Sequence, residues 1–536
     1  MRGERSGSLW VGYPLGLLAA FVLGVVLRAG PVMGHGWPLQ DGGLFYRMIG
    51  EIVQSGLRLP QMTTYDRANI PFAYPPLALW IAAATESLTS AARSDVMRVL
   101  PLLFSILTLP ATYLLARDLL PSRSAAAVAV LAVAVEPYAY QYQITGGGLT
   151  RSAGMLLGIL AVWQGLRLLR RPNSWHVIAT AVLGGAAALS HPEAGVFVAV
   201  ALGLGWLCFK PSPMGAIRLI AAAAGAALVS APWWLIVILR SGPQPLMAAL
   251  TGTSHDPVAS LVTFFFVYLA QGPLPVLAIL AILGAAWAIR RRELYLIVWW
   301  AGICLADLRY APVAGTVPLS LLAGLGLVEV VGPAADRLGL RSATPGRRTL
   351  AGGTATAVVL LVVAVGLVQD VAWFSPGVAL TPADRAAMAW VTGQQPTRRS
   401  FAVLGGPQWG SDDVAEWFPA LTDRASLTTS QGFEWLGGAV RAHEHDAEVA
   451  LRACQPQVAN GCLGSWLETY AEPSADWAIY VAADGSMYAQ PGSDCCAAAR
   501  AWVRADPDLR VVYDGPGALI AVPAGSIAAG ATSPAR

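Results

Sequence analysis

The sequence predicts a polytopic α-helical membrane protein of about eleven spans, followed by an extracytoplasmic α/β domain. Three observations carry that reading. Of 536 residues, 55% are hydrophobic and only 12% charged, about half the share of roughly 25% found in soluble domains. Several apolar runs reach the length of about 20 residues that a helix needs to cross a bilayer. Charge also divides along the chain: residues 1–369 hold 25 Lys and Arg against 14 Asp and Glu, whereas residues 370–536 hold 10 against 18. The basic residues of the first part sit in short loops between apolar runs, which is how cytoplasmic loops are marked and not how a nucleic-acid surface is built. High hydrophobicity excludes disorder. Lys210 is the single lysine, which argues against chemistry that needs a lysine in a polar loop.

Residues 1–369 therefore form a transmembrane module and 370–536 a soluble one. Arg2 and Arg5 precede the first apolar run, 11–30, placing the N-terminus in the cytoplasm, and no small-residue cleavage site follows it. Further spans are expected near 99–116, 124–138, 152–169, 176–190, 193–209, 216–239, 272–289, 293–308, 312–331 and 350–369. Segments 74–90 and 258–270 are read as helices lying at the outer interface, because letting 74–90 cross would move the Arg167–Arg171 and Lys210 loops outside. The outer face then holds a long first loop (31–98), a loop at 137–151, the corner Ser190–Glu193, the region 240–271 and the whole of 370–536.

In the last of these, amphipathic helices at 384–392 and 412–420 alternate with strand-like runs SFAVLGG, WAIYVAA, LRVVYDG and ALIAVP. Cys454, Cys462, Cys495 and Cys496 lie there too, which suggests disulfides and an oxidising compartment. Three pairings are open, and a zinc site of four thiolates is the alternative, although no CxxC pair is present. Cys208 and Cys304 lie in apolar runs, where a thiol behaves as a small hydrophobe.

The residues able to carry chemistry gather in the outer loops. Asp41 stands just past the first span in WPLQDGG, before the amphipathic stretch Leu44–Ser55. Its carboxylate can accept a proton from a hydroxyl; the plain alternative is a helix N-cap. Tyr74-Pro75-Pro76-Leu77 opens the interfacial helix, Arg151 stands at the mouth of a span, and Ser190-His191-Pro192-Glu193 forms a corner. Asp307-Leu308-Arg309-Tyr310-Ala311-Pro312 closes the series. Arg309 and Arg151 suit a lipid phosphate through the fork of guanidinium donors, with interfacial snorkelling as the alternative; Arg67 in the first loop is a weaker candidate of the same type. His191 and Glu193, with Asp41, have the chemistry to hold a divalent metal such as zinc or manganese, or else form a helix-breaking corner. Glu136, Tyr138, Tyr140 and Tyr142 read as an interfacial belt that can also line a sugar site.

In the order of these features over residues 1–331 the chain resembles the GT-C superfamily of polyprenyl-phosphate-dependent glycosyltransferases, and within it the protein mannosyltransferase and aminoarabinose transferase branch, glycosyltransferase family 39. The resemblance implies a polyprenyl-phosphate sugar as donor and a hydroxyl on a protein, lipid or glycan as acceptor, with transfer at the outer face of a bacterial plasma membrane. It maps the catalytic base onto Asp41 and donor-phosphate binding onto Arg309. Two positions depart from the family pattern: Gly42 stands where a second acid is common, and Tyr74 where a basic residue is common, so aminoarabinose specificity is not implied. The rival reading is a transporter or flippase of glycans or lipid-linked sugars. It would leave charges buried in mid-span, whereas most charges here fall at span ends.

Overall fold

The computed structural model describes residues 13–209, 211–251, 276–306, 310–337, 379–406, 409, 412–471, 476–483 and 494–526. The first apolar run becomes α1 (Tyr13–Gly34), and the first loop folds into α2 (Gly43–Gln54), the two-residue strands β1 (Met62–Thr63) and β2 (Ile70–Pro71), and α3 (Leu77–Thr89). A bundle follows: α4 (Arg93–Leu119), α5 (Arg123–Val135), α6 (Gly148–Arg170), α7 (Ser174–Ser190), α8 (Pro192–Cys208) and α9 (Pro213–Ser241). After α10 (Gln244–Thr251) come α11 (Val276–Arg291), α12 (Tyr295–Ala306) and α13 (Thr316–Leu325).

Among the described residues, five helices are long and apolar enough to cross a membrane: Pro14–Gly34, Arg93–Leu119, Gly148–Arg170, Pro213–Ser241 and Ala311–Ala334. Others expected as spans, α5, α7, α8 and α12, are apolar but shorter. The expected span at 350–369 and the interfacial helix at 258–270 lie outside the described residues. Leu15, Leu18 and Val22 on α1, and Ile217, Ile220, Leu228 and Leu239 on α9, are exposed. Apolar surface of that extent is stable against lipid, not water. The 311–334 helix is the most enclosed of the five and takes the middle of the bundle.

Arg28 on α1 is fully buried and donates to Ser105 Oγ at 3.1 Å, Gly24 O at 3.1 Å, Ala134 O at 3.0 Å and Val133 O at 3.1 Å, with its guanidinium 4.3 Å over the Tyr140 ring. Val133 and Ala134 belong to the last turn of α5, whose carbonyls have no partner within the helix. Arg28 thus closes a helix end where no water is available. Arg28→Ala is expected to cost about 3–5 kcal/mol through the loss of these charge-assisted bonds. A lowered melting temperature in detergent, with Arg28→Lys recovering part of it, is the expected readout.

The expected helix at 74–90 is present as α3, and Glu86 on it pairs with Arg93 through two contacts of 2.8 Å. The expected amphipathic helix after Asp41 is α2, but it is buried on more than one side. Leu44, Phe45, Met48, Ile49 and Ile52 enter a core shared with α3, α4 and residues of the C-terminal part.

That part is α/β, as the alternating pattern predicts. It contains α14 (Pro382–Gln394), β3 (Ser400–Leu404), α15 (Asp413–Thr422), β4 (Ala425–Ser426), α16 (Gly438–Cys454), α17 (Cys462–Tyr470), β5 (Trp477–Ala482), α18 (Ala497–Ala505), β6 (Leu509–Gly515) and β7 (Ala518–Pro523). The sheet order is β4-β3-β5-β7-β6, parallel from β4 to β5 and antiparallel beyond. Thr381 starts α14 with a reciprocal capping box to Asp384. Of the three cysteine pairings left open, the structure has Cys454–Cys462 and Cys495–Cys496, so the four thiolates do not form a zinc site.

The C-terminal domain is seated on the first loop. Trp417 of α15 packs edge-on against Trp37 and Tyr46 and donates Nε1 to Gln40 O at 2.7 Å. Tyr65 OH donates to Glu416 O at 2.6 Å, the Ser426 backbone N–H donates to Asp66 Oδ1 at 2.6 Å, and Arg47 pairs with Asp423 at 2.9 Å. Burial pushes the Asp66 carboxyl well above the usual range, partly offset by the Ser426 bond.

Candidate active site

Asp41 sits in a turn between Gln40 at φ 51° and Gly42 at φ 147°. Only glycine takes the second of these without strain. The turn rests on the entrance of α6: Gly146 N donates to Leu39 O at 2.8 Å and Gly147 N to Asp41 O at 2.9 Å. A Cβ at Gly147 would meet the Asp41 carboxylate at 2.5 Å, so the missing side chain there is what lets the carboxylate lie over the start of α6. That position is favourable for an anion, because the first N–H groups of a helix carry partial positive charge. The N-cap alternative for Asp41 is not what the structure has: Gly42 occupies the N-cap of α2, with no side-chain cap bond.

Arg151 lies one turn into α6 from Gly147 and faces the same way. Asp41 exerts the strongest electrostatic pull on its guanidinium, and Glu193 also contributes. Two cavities meet at this pair. The first, about 350 Å³, is walled by Phe45, Tyr74, Gln431, Glu434, Arg441 and Glu444, mostly from the first loop and the C-terminal domain. The second, about 420 Å³, is walled by Tyr138, Tyr142, Glu193, Tyr310 and Pro312, from the bundle. Asp41, Arg151 and Glu416 line both.

The expected residues fall into three groups. Asp41, Arg151, Tyr74, Tyr310 and Glu193 come together around the cavities. Tyr74 OH is 3.2 Å from Thr150 Oγ1 and 3.4 Å from His191 Nδ1, and burial pushes its phenol up to about 12, with the Arg151 charge pulling the other way. Arg67 is elsewhere. It is exposed and donates to the Thr397 backbone carbonyl, tying the first loop to the C-terminal domain without entering either cavity. Arg309 lies outside the described residues, next to Tyr310, which is buried in the wall of the second cavity.

The metal expectation on His191, Glu193 and Asp41 does not fit this arrangement. Both ring nitrogens of His191 are engaged, Nδ1 with Tyr74 and Nε2 with Glu193 Oε2 at 2.8 Å. Among the described residues no three His, Cys, Asp or Glu side chains come together as a ligand group. The pair orients Tyr74 and Glu193 instead.

Sequence reasoning missed Glu416. It lies some hundreds of residues from Asp41, inside a segment that showed only an amphipathic helix, and nothing local marks it. The run Gly146-Gly147-Gly148 is the sequence signal of this close backbone approach.

The fold defines the class: a multi-pass helical membrane protein that carries an α/β domain. Residues 73–237 match the family model described as dolichyl-phosphate-mannose-protein mannosyltransferase. Among solved structures, the chain is similar to the archaeal oligosaccharyltransferase AglB from Archaeoglobus fulgidus, in complex with an inhibitory peptide and a dolichol-phosphate. The TM-score is 0.57 at 13% identity, over 87% of this chain and 69% of that one. It is also similar to ArnT from Cupriavidus metallidurans bound to undecaprenyl phosphate, with TM-score 0.55 at 13% identity, over 96% of this chain and all (100%) of that one. No curated protein sequence matches the chain.

Proposed function

We propose that this protein is a membrane glycosyltransferase that moves a sugar from a polyprenyl phosphate to a hydroxyl of a protein, lipid or glycan, on the outer face of a bacterial plasma membrane. The observation that carries the reading is the meeting of two cavities at Asp41 and Arg151. A base and a cation stand at one junction, with room on either side for two substrates. The acceptor enters from the side of the C-terminal domain and gives its hydroxyl proton to Asp41. Its oxygen bonds to the anomeric carbon while the bond from that carbon to the phosphate oxygen breaks, leaving the electron pair on the phosphate. Arg151 and Arg309 hold that phosphate as its negative charge grows. The mechanism routes no step through a metal.

A transporter reading would use the same cations to hold a lipid phosphate, with no transfer chemistry. Lipid extracts of a deletion strain decide between the two. Accumulation of a polyprenyl-phosphate sugar at the outer face is the expected result, and its absence would overturn the reading. In purified, reconstituted protein, Arg309→Lys keeps the charge but not the planar fork, and is expected to weaken donor use about ten- to a hundredfold. If Arg309 only snorkels, lysine serves as well and the donor dependence stays unchanged.

A further inference from the structure

We propose that Glu416, carried by the C-terminal domain, is a second carboxyl of the transfer site and holds the acceptor in line with Asp41. The proposal rests on the glycosyltransferase reading above and adds a residue that lies outside the membrane module. Three features of the geometry carry it.

Among the described residues, Glu416 lines both cavities together with Asp41 and Arg151. Its Oε2 is buried and makes no hydrogen bond among the described residues. A carboxyl oxygen left without a partner costs free energy, and such a group calls for an explanation in the bound state. The third feature is how firmly its backbone is held. Glu416 O accepts from Tyr65 OH at 2.6 Å, Asp412 caps α15 by accepting from Ala415 N at 2.9 Å, and the next residue, Trp417, is locked against Trp37, Tyr46 and Gln40. The bare Gly43 then lets α15 approach so closely that a Cβ there would lie 2.0 Å from Glu416 O. None of this is needed to fill a core with a leucine-sized side chain.

Burial raises the Glu416 carboxyl well above the ordinary range, and the negative charges of Asp41, Asp413, Asp412 and Glu434 push it the same way. That shift favours the protonated carboxyl, which has one hydrogen to donate and one oxygen to accept. In that state it fixes an acceptor by two hydrogen bonds without competing with Asp41 for the proton. The proton lost by the acceptor goes to Asp41, and Glu416 begins and ends the cycle unchanged.

The test uses the full-length protein in a strain lacking the native copy. With Glu416→Leu, which keeps the bulk but can neither donate nor accept, unused polyprenyl-phosphate sugar in lipid extracts is expected to rise at least about tenfold over wild type, towards the level of the deletion strain, whereas Glu416→Gln, which keeps a donor and an acceptor, is expected to stay near wild type. Binding of undecaprenyl phosphate to the purified Glu416→Leu variant, and its melting temperature, are expected to stay at wild-type values. Glu416→Asp, which keeps the carboxyl one methylene short, is expected to recover part of the turnover. Wild-type donor levels with Glu416→Leu would overturn the proposal. So would a loss of undecaprenyl phosphate binding, which would place Glu416 on the donor. A deletion strain that accumulates no polyprenyl-phosphate sugar would instead sink the underlying glycosyltransferase reading, so the two failures are told apart.

Discussion

Asp41→Asn is expected to lower transfer by about 10²–10⁴-fold, the usual contribution of a positioned general base. The substitution keeps the shape of the side chain and the backbone carbonyl that accepts from Gly147 N. It removes no helix cap, since Gly42 occupies that position on α2. Undecaprenyl phosphate binding and the melting temperature of the purified protein are therefore expected to hold while turnover collapses. Turnover near wild type would remove Asp41 from the chemistry and leave it as an electrostatic partner of Arg151.

Gly43→Ala is the second large effect. Its Cβ would lie 2.0 Å from Glu416 O, 2.8 Å from Glu416 C and 3.0 Å from Trp417 Cα, all of them backbone atoms. No side chain can swing aside, so α2 and α15 must separate. Overpacking of this sort costs about 1–3 kcal/mol or more. A displacement of about 1 Å at a site is enough to lose roughly 10²-fold in rate. Limited proteolysis should show the C-terminal domain cut sooner, and transfer should fall with it. Gly438→Ala is the control, because a Cβ there meets nothing within 4 Å. Equal protease resistance of Gly43→Ala and wild type would mean that the two helices do not meet as described.

The membrane fold was legible because hydropathy and the arginine loops are local signals: α4, α6 and α9 fall where apolar runs stand between basic clusters. The four strand-like runs of the C-terminal part all became strands, and they sit at the centre of the sheet or in the hairpin beside it. The short strand β4 and the helices α16, α17 and α18 were not read, since their apolar positions are sparse and their partners distant in sequence. Asp41, Arg151 and Tyr310 stand out in sequence because each lies at the end of an expected span, and the structure brings them to the cavity walls. The role given to Arg67 failed for the opposite reason. A loop arginine looks the same in sequence whether it faces a ligand or, as here, a backbone carbonyl of another domain. Glu416 was out of reach altogether, because its place depends on two glycines and a tryptophan interface that no single stretch encodes.

The seating of the C-terminal domain on the first loop also sets when the protein becomes competent during its own synthesis. Leu44 N donates to Gln431 Oε1 across 387 positions of chain. At about 5–20 residues per second, roughly 20–80 s separate the emergence of those two residues from the ribosome. Throughout that interval Leu44, Phe45 and Met48 have only the part of their cover that α3, α4 and α6 supply, and the junction of the two cavities lacks the wall that the C-terminal domain brings. On the proposed function, a chain stopped before β7 is expected to insert into the membrane without gaining transfer activity.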